Sequence, residues 1–184
     1  MRGTTAAIRT RLGAGQAAPG PESRNRDALL AALACLALAM GVLVYLADRE
    51  PSHAALIPSV QVLAASHLFG TLGQWLPSFV HPFAFSLLAA AALPPRMARR
   101  YGACAAWCAV NVLFEIGQHP QVSAPLAHAL QRWFGTTWPT RLLANYFLRG
   151  TFDVGDILAA MLGALAAAGV LYLFRPVVEN DHAS

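Results

Sequence analysis

One run of residues places polar and ionisable side chains on a single face of an apolar helix. Between residues 101 and 118 these side chains are spaced 3, 4, 3, 4 and 3 positions apart. Because an α-helix has about 3.6 residues per turn, this spacing draws one stripe along one side of the helix. Such a stripe faces other helices or water instead of lipid, and an ionisable residue within it indicates a functional site. The stripe consists of Tyr101, Cys104, Cys108, Asn111, Glu115 and Gln118.

Three further ionisable residues lie close to the ends of apolar segments. Asp153 and Asp156 stand about one helical turn apart where the last apolar segment begins. Acidic residues at a helix N-terminus cap free N–H groups, so capping is the alternative to binding a substrate or a cation. His81 directly precedes Pro82. Because proline is favoured at the first position of a helix, His81 is predicted at or just before a helix start, where a capping role is the alternative.

The composition indicates that membrane helices position these residues. Hydrophobic residues make up 57% of the 184 residues and charged residues only 12%, whereas soluble domains carry about 25% charged residues. All 13 basic residues are arginines, and they lie in short clusters beside apolar segments. Such clusters are typical of the flanks of membrane helices and not of nucleic-acid-binding faces, so no nucleic-acid partner is expected.

Four apolar segments can cross the membrane as helices, because about 20 residues cover the hydrocarbon core. The predicted transmembrane domain covers residues 28–175, between a flexible cytoplasmic tail at 1–27 and a second cytoplasmic tail at 176–184. The expected fold is an all-α membrane protein, a four-helix transmembrane bundle. The predicted spans are residues 28–47, 77–94, 101–118 and 154–174.

The arginines favour four spans over five. Residues 54–72 are apolar enough to suggest a fifth span. A fifth span would place Arg96, Arg99 and Arg100 on the outer side of the membrane, against the positive-inside tendency. Four spans keep these arginines and both termini in the cytoplasm, which predicts a multi-pass protein of the bacterial inner membrane.

Two features of the sequence predict how the helices pack. Along the last span, small residues at positions 155, 159, 163 and 167 recur every fourth residue, which favours close contact with another helix. The outer loop at 120–150 repeats apolar residues at helical spacing, which predicts one or two helices lying at the membrane interface. Trp133 and Phe147 would then face lipid or the bundle, and packing on the bundle is the alternative for the whole segment.

The sequence lacks the short motifs that mark common cofactor sites. It has no GxxxxGK[ST] nucleotide loop, no GxSxG elbow and no HExxH pair, so ATPase and serine hydrolase chemistry are disfavoured. Cys104 and Cys108 lie one turn apart without a second thiol pair. Glu115 and His119 have a spacing that could hold a metal, but Pro120 is expected to end the helix there. No cofactor and no metal site are predicted.

In the four-span topology the candidate residues reach the same outer membrane face. We expect His81, Glu115, Gln118 and at least one of the two aspartates to line one polar pocket that opens outward. Grouping would let Glu115 accept hydrogen bonds from Gln118 and His81, because leaving each group unsatisfied in lipid costs several kcal/mol. The alternative is a structural ion pair between Arg149 and Asp153.

The pattern of these residues resembles the VanZ-like family of bacterial membrane proteins. That family has a Glu-x-x-Gln pair at the end of one span, which Glu115 and Gln118 match in LFEIGQ. A basic residue and two aspartates then open the next span, matched by Arg149, Asp153 and Asp156 in RGTFDVGDILAAMLGALAA. The downstream glycine and the histidine of the preceding span match Gly163 and His81. The family's Asn and Tyr positions are Ala160 and Phe85 in this chain.

The resemblance covers roughly residues 78–168 and implies an association with the cell envelope. The family's founding association is with resistance to teicoplanin-type glycopeptide antibiotics. We therefore expect a membrane-embedded site that binds, and acts on, a lipid-linked or peptidoglycan-related substrate. A transporter is disfavoured because four spans without paired repeats leave little room for alternating access.

Each candidate residue has an expected role in this hypothesis. Glu115 would be a general acid or base and His81 its proton partner. Asp156 would complete the catalytic group, with Gln118, Arg149 and Asp153 as substrate ligands. The alternative hypothesis is a non-catalytic accessory or assembly subunit with a membrane protein partner, in which the polar stripe only holds helices together.

Overall fold

The computed structural model describes residues 20–48 and 69–175, and within these ranges every regular element is an α-helix. Residues 1–19 of the predicted N-terminal tail at 1–27 lie outside the described residues. The predicted C-terminal tail at 176–184 and residues 54–68 of the segment considered as a fifth span lie outside them as well. The six helices are α1 (Pro21–Asp48), α2 (Gly70–Ala92), α3 (Met97–Gly117), α4 (Pro120–Phe134), α5 (Trp138–Arg149) and α6 (Val154–Leu173).

Three of these helices are long and apolar enough to cross a membrane. They are α1 over Pro21–Tyr45, α2 over Gly70–Ala92 and α6 over Val154–Leu173. The chain is therefore an all-α protein with the features of a membrane protein. The predicted third span corresponds to α3, which has 21 residues but carries Asn111 and Glu115 within its apolar stretch and is not among the three.

The four long helices form one bundle in which neighbours along the chain run in opposite directions. The start of α3 meets the start of α1, where Arg100 contacts Asp27. The end of α3 meets the start of α6, where Glu115 contacts Asp153. The apolar core lies between these two ends and contains Leu30, Ala34, Ala84, Leu87, Ala90, Cys104, Ala167 and Leu171.

The start of α2 differs from the sequence-based prediction. The His81–Pro82 pair was expected at a helix start, but α2 begins at Gly70 and continues through both Pro77 and Pro82. A proline inside a helix removes one backbone hydrogen bond, which usually favours a break. Here Pro82 is fully buried between helices, and tertiary packing of this kind lets membrane helices keep their course through proline. His81 consequently lies in the middle of α2.

The helix α1 also starts earlier than predicted. Its first residue is Pro21, so residues 21–27 extend the predicted span by almost two turns and are not a flexible tail. The proline suits this position because its missing N–H is one that the first turn leaves unpaired. The extension matters because it brings Asp27 to the bundle.

The segment at 120–150, which was predicted as an outer loop with one or two helices, contains the two helices α4 and α5. His119 caps α4 by accepting a hydrogen bond from the Gln121 N–H over 3.3 Å, and Gly135 ends it with a φ of 72°, which glycine adopts without strain. In α5, Phe147 is buried against Gly117 of α3. Trp133, by contrast, is 76% exposed.

The close packing predicted for α6 is present where it crosses α2. Gly163 is buried, and a Cβ atom added there would overlap the backbone carbonyl of Phe79. Ala159 and Ala167 on the same face are buried as well. The small residues therefore let the two helices approach within backbone contact.

Candidate functional site

A cavity of about 700 Å³ lies between the helices at the end of the bundle where α3 ends and α6 begins. This volume is within the range of small-molecule binding sites. All of the long helices and α5 contribute to its wall. The polar side chains that line it are Tyr45, Ser78, His81, Asn111, Glu115, Gln118, Asn145, Tyr146, Arg149, Thr151 and Asp156.

The polar stripe of α3 faces this interior, as its spacing predicted. Cys104 and Glu115 are buried and the other members are half-buried, whereas Ala105, Val110 and Leu113 on the opposite side are exposed. Local periodicity thus determined which face of α3 turns inward. Tyr101 and Cys104, at the N-terminal end of the stripe, lie at the apolar core. The C-terminal end, with Asn111, Glu115 and Gln118, lines the cavity.

Glu115 is the most buried acid of the cavity, with 9% of its surface exposed. Its Oε1 atom accepts a hydrogen bond of 2.7 Å from the backbone N–H of Asp153. This N–H precedes the first turn of α6, where free donors favour negative charge. The contact fixes the end of α3 to the start of α6 through a neutral donor.

The predicted partners of Glu115 are different in the structure. Gln118 donates to the Tyr146 hydroxyl of α5 over 3.0 Å instead of to Glu115. The position of Gln118 also requires the following loop to be close, since a Cβ atom on Gly150 would overlap its side chain. Gln118 therefore joins α3 to α5 and to the loop before α6.

The two aspartates at the start of α6 have separate roles in the fold. Asp156 lines the cavity and accepts a hydrogen bond of 2.6 Å from the hydroxyl of Ser78. Asp153 is the N-cap of α6: it accepts from the Gly155 N–H over 2.8 Å and from the Trp75 indole over 3.2 Å. The capping alternative thus describes Asp153, which is not among the residues that line the cavity.

His81 and Arg149 are the basic residues on the cavity wall. His81 is exposed there, and its ring stacks on Phe85 with 6.1 Å between centroids, while Phe85 stacks on Trp107 at 4.8 Å. Arg149 is exposed at the end of α5 and forms no ion pair with a described carboxylate. The alternative ion pair between Arg149 and Asp153 is consequently absent from residues 20–48 and 69–175.

The possible metal pair of Glu115 and His119 is divided by the helix end. The His119 ring caps α4 and packs edge-on against Phe152 at 5.0 Å, outside the cavity lining. Within the part of the chain that the structure describes, no three His, Cys, Asp or Glu residues are grouped closely enough to hold a metal ion.

Sequence reasoning missed the α2 side of the site. Trp75 and Ser78 donate to the two aspartates 78 positions further along the chain. Ser78 lies three residues after Trp75 and three before His81, and this spacing was a usable signal because residues three apart are neighbours on a helix surface. The prediction that His81 lies at or just before the start of its helix hid this pattern. Asn145 and Tyr146 on α5 were missed for a different reason. Only the packing of α5 against the bundle brings them to the cavity.

The structure brings together five of the six predicted site residues. His81, Glu115, Gln118, Arg149 and Asp156 line one cavity, and Asp153 lies beside it. Such an arrangement provides one buried acid, a second acid with a hydroxyl donor, a histidine and an arginine around a single space. No family model, curated protein or solved structure matches this chain.

Proposed function

We propose that this chain is a VanZ-like integral membrane protein whose polar cavity binds, and acts on, a lipid-linked or peptidoglycan-related molecule of the cell envelope. The observation that carries the proposal is the single cavity lined by five residues that the family pattern singles out. A cavity with two acids, a histidine and an arginine within a mainly apolar bundle has a high energetic cost, which binding a polar ligand would offset.

The proposed topology is a four-helix transmembrane bundle in the bacterial inner membrane with both termini cytoplasmic. In this arrangement α3 crosses the membrane as the third span, in addition to α1, α2 and α6, and its charges lie near its two ends, at Arg99, Arg100 and Glu115. Its 21 residues reach about 31 Å at 1.5 Å per residue, close to the thickness of the hydrocarbon core. The cavity then opens to the outer side, and α4 and α5 lie at the outer interface.

This topology predicts the side from which the loop between α2 and α3 is accessible. A single cysteine replacing Ala98, in a chain whose three native cysteines are serines, should react with a membrane-impermeant maleimide only after the cells are opened. A cysteine at Thr136 in the α4–α5 turn should react in intact cells and serves as the matched control. Labelling of Ala98→Cys in intact cells would rule out the four-span arrangement.

The proposed chemistry assigns proton transfer to Glu115 and His81. Glu115 is held by the Asp153 N–H, so its carboxyl group has a defined orientation at the cavity wall. His81 lies on the facing helix, and Asp156 has a hydroxyl donor in Ser78. Gln118 and Arg149 would bind the substrate, and Asp153 would act from outside the cavity by holding Glu115 and the start of α6.

A thermal-shift experiment tests the proposal with the full chain in detergent. Envelope phospholipids, undecaprenyl phosphate and soluble peptidoglycan fragments are added one class at a time. A ligand at 100 times its Kd stabilises the folded state by about 2.7 kcal/mol, so at least one class should raise the Tm. This rise in Tm should be smaller in Glu115→Gln and Arg149→Gln. It should persist in Arg141→Gln, because Arg141 is an exposed residue of α5, the helix that carries Arg149, and does not line the cavity. A Tm that no class changes would exclude the proposal.

A second candidate function is a non-catalytic accessory or assembly subunit of a membrane complex. The hydrogen bond between Glu115 and the Asp153 N–H favours it, because this contact alone would hold α3 against α6. Glu115→Gln separates the two functions. An amide oxygen can still accept from the Asp153 N–H, so an accessory subunit keeps its cellular role, whereas a proton-transferring residue loses it.

A further inference from the structure

The charged groups of the cavity are separated by sign. Glu115 and Asp156 lie on the walls formed by α3 and α6, whereas Arg149 lies at the end of α5. Within the described ranges, no nitrogen of Arg149 comes within 4.0 Å of a carboxylate oxygen. The cavity therefore presents an acidic side and a basic side to the same space.

The separation of acidic and basic side chains is not found at the other end of the bundle. At the other end of the bundle Arg100 and Asp27 are joined directly, with 2.6 Å between Nη2 and Oδ1. A charge inside a membrane protein is stabilised by an opposite charge, so direct pairing is the expected structural solution. Where the cavity lies, the acids contact neutral donors instead: the Asp153 N–H and the Ser78 hydroxyl.

Resting on the function proposed above, we infer that the cavity selects a zwitterionic ligand, one that carries a primary ammonium group and a phosphate or carboxylate group. The ammonium group would be bound by Glu115 and Asp156, and the anionic group by Arg149 with Gln118 or Asn145 beside it. Arginine suits phosphate and carboxylate because its planar guanidinium donates two parallel hydrogen bonds. One ligand would then neutralise both sides at once.

The separated charges would make the cavity reject ligands that carry only one charge. An anionic headgroup without the ammonium could contact Arg149 but would bring its negative charge near Glu115 and Asp156, and it would leave both acids without a counter-ion. Such unpaired charges and like-charge contacts are the usual means of rejecting a competing ligand. The same two groups occur together in the headgroup of phosphatidylethanolamine and in a free dipeptide such as D-alanyl-D-alanine.

Native mass spectrometry of the full chain in detergent compares these sources. Equal concentrations of dioleoyl phosphatidylethanolamine, dioleoyl phosphatidylglycerol, free phosphoethanolamine and D-alanyl-D-alanine are supplied in separate measurements. We expect phosphatidylethanolamine to bind at least about tenfold more tightly than phosphatidylglycerol, which corresponds to the loss of one charge-assisted hydrogen bond. Free glycerol phosphate serves as the soluble anion without an ammonium group. If the two soluble zwitterions bind more tightly than glycerol phosphate and neither lipid binds, the zwitterion inference holds and the source is soluble.

Variants identify which side of the cavity gives the selectivity. Asp156→Asn and Glu115→Gln should each weaken phosphatidylethanolamine binding by about tenfold and leave phosphatidylglycerol binding unchanged or stronger. Arg149→Gln should weaken both lipids, because both contain the phosphate. Arg141→Gln, on the same helix but outside the cavity, should change neither.

The possible failures are distinguishable. If phosphatidylglycerol binds as tightly as phosphatidylethanolamine, or if Asp156→Asn and Glu115→Gln weaken both lipids equally, the zwitterion inference is wrong while envelope-lipid binding stands. If no probe binds the wild-type chain, the zwitterion inference is refuted, whereas the proposed function is refuted only if undecaprenyl phosphate and peptidoglycan fragments also leave the Tm unchanged.

Discussion

At one end of the bundle Arg100 donates to Asp27 over 2.6 Å beside a void of only about 120 Å³. At the other end Glu115 and Asp156 accept from a backbone N–H and a hydroxyl beside a cavity of about 700 Å³. Both ends place buried or partly buried acids in an apolar bundle. In a direct ion pair the charge of the acid is neutralised within the fold. An acid that accepts from a neutral donor keeps its charge, which under the proposed function is available to a ligand.

The largest effect is expected where α2 and α6 touch, because their backbones come into contact there. Gly163→Leu should lower the free energy of unfolding by about 3 kcal/mol, the upper end for an overpacked interior, because a Cβ atom there overlaps the Phe79 carbonyl. Thermal unfolding in detergent measures the loss. Gly169→Leu is the matched control, since it lies on the same helix with open space around it. Equal stability of the two variants would show that the contact between α2 and α6 at Gly163 is not tightly packed.

The paired end should respond strongly to removal of its acid. Asp27→Asn keeps the shape of the side chain but leaves the Arg100 guanidinium, which is 7% exposed as a residue, without its counter-ion. We expect a loss of about 2 kcal/mol, less than for a fully buried pair because Asp27 is partly exposed. Denaturation of Asp27→Asn beside Arg99→Gln, whose arginine is exposed, measures it. A loss that matches the control would mean that the ion pair adds nothing to stability.

The cavity end should tolerate the equivalent change. Glu115→Gln keeps an oxygen that can accept from the Asp153 N–H and removes the negative charge near Asp156. The free energy of unfolding should therefore change by less than about 1 kcal/mol, because the hydrogen bond is kept and the loss of its charged acceptor is offset by the loss of repulsion from Asp156. The same unfolding assay applies. A loss as large as that of Asp27→Asn would remove the distinction between the two ends and favour the structural role of Glu115.

Much of the candidate site was accessible from the sequence, because some of its properties are local. The 3, 4, 3, 4, 3 spacing in α3 determined that Glu115 faces inward, since residues at that spacing share a face wherever the helix lies. The small residues of α6 predicted close packing at Gly163 for the same reason. The scarcity of charged residues predicted helices that can cross a membrane, and three helices of the described residues are long and apolar enough to do so.

Only the tertiary structure decided which groups meet. Asp27 and Arg100 are 73 positions apart, and Trp75 and Asp153 are 78 apart; such pairings depend on how each helix is rotated and shifted against its neighbours. His81 shows the limit most clearly. A local rule favours proline at a helix start, but packing against the neighbouring helices stabilises α2 through two prolines and moves His81 into its middle. The hydrogen-bond partners of Glu115 were likewise decided by the end of one helix meeting the start of another, because free backbone donors become partners only when the fold brings them within reach.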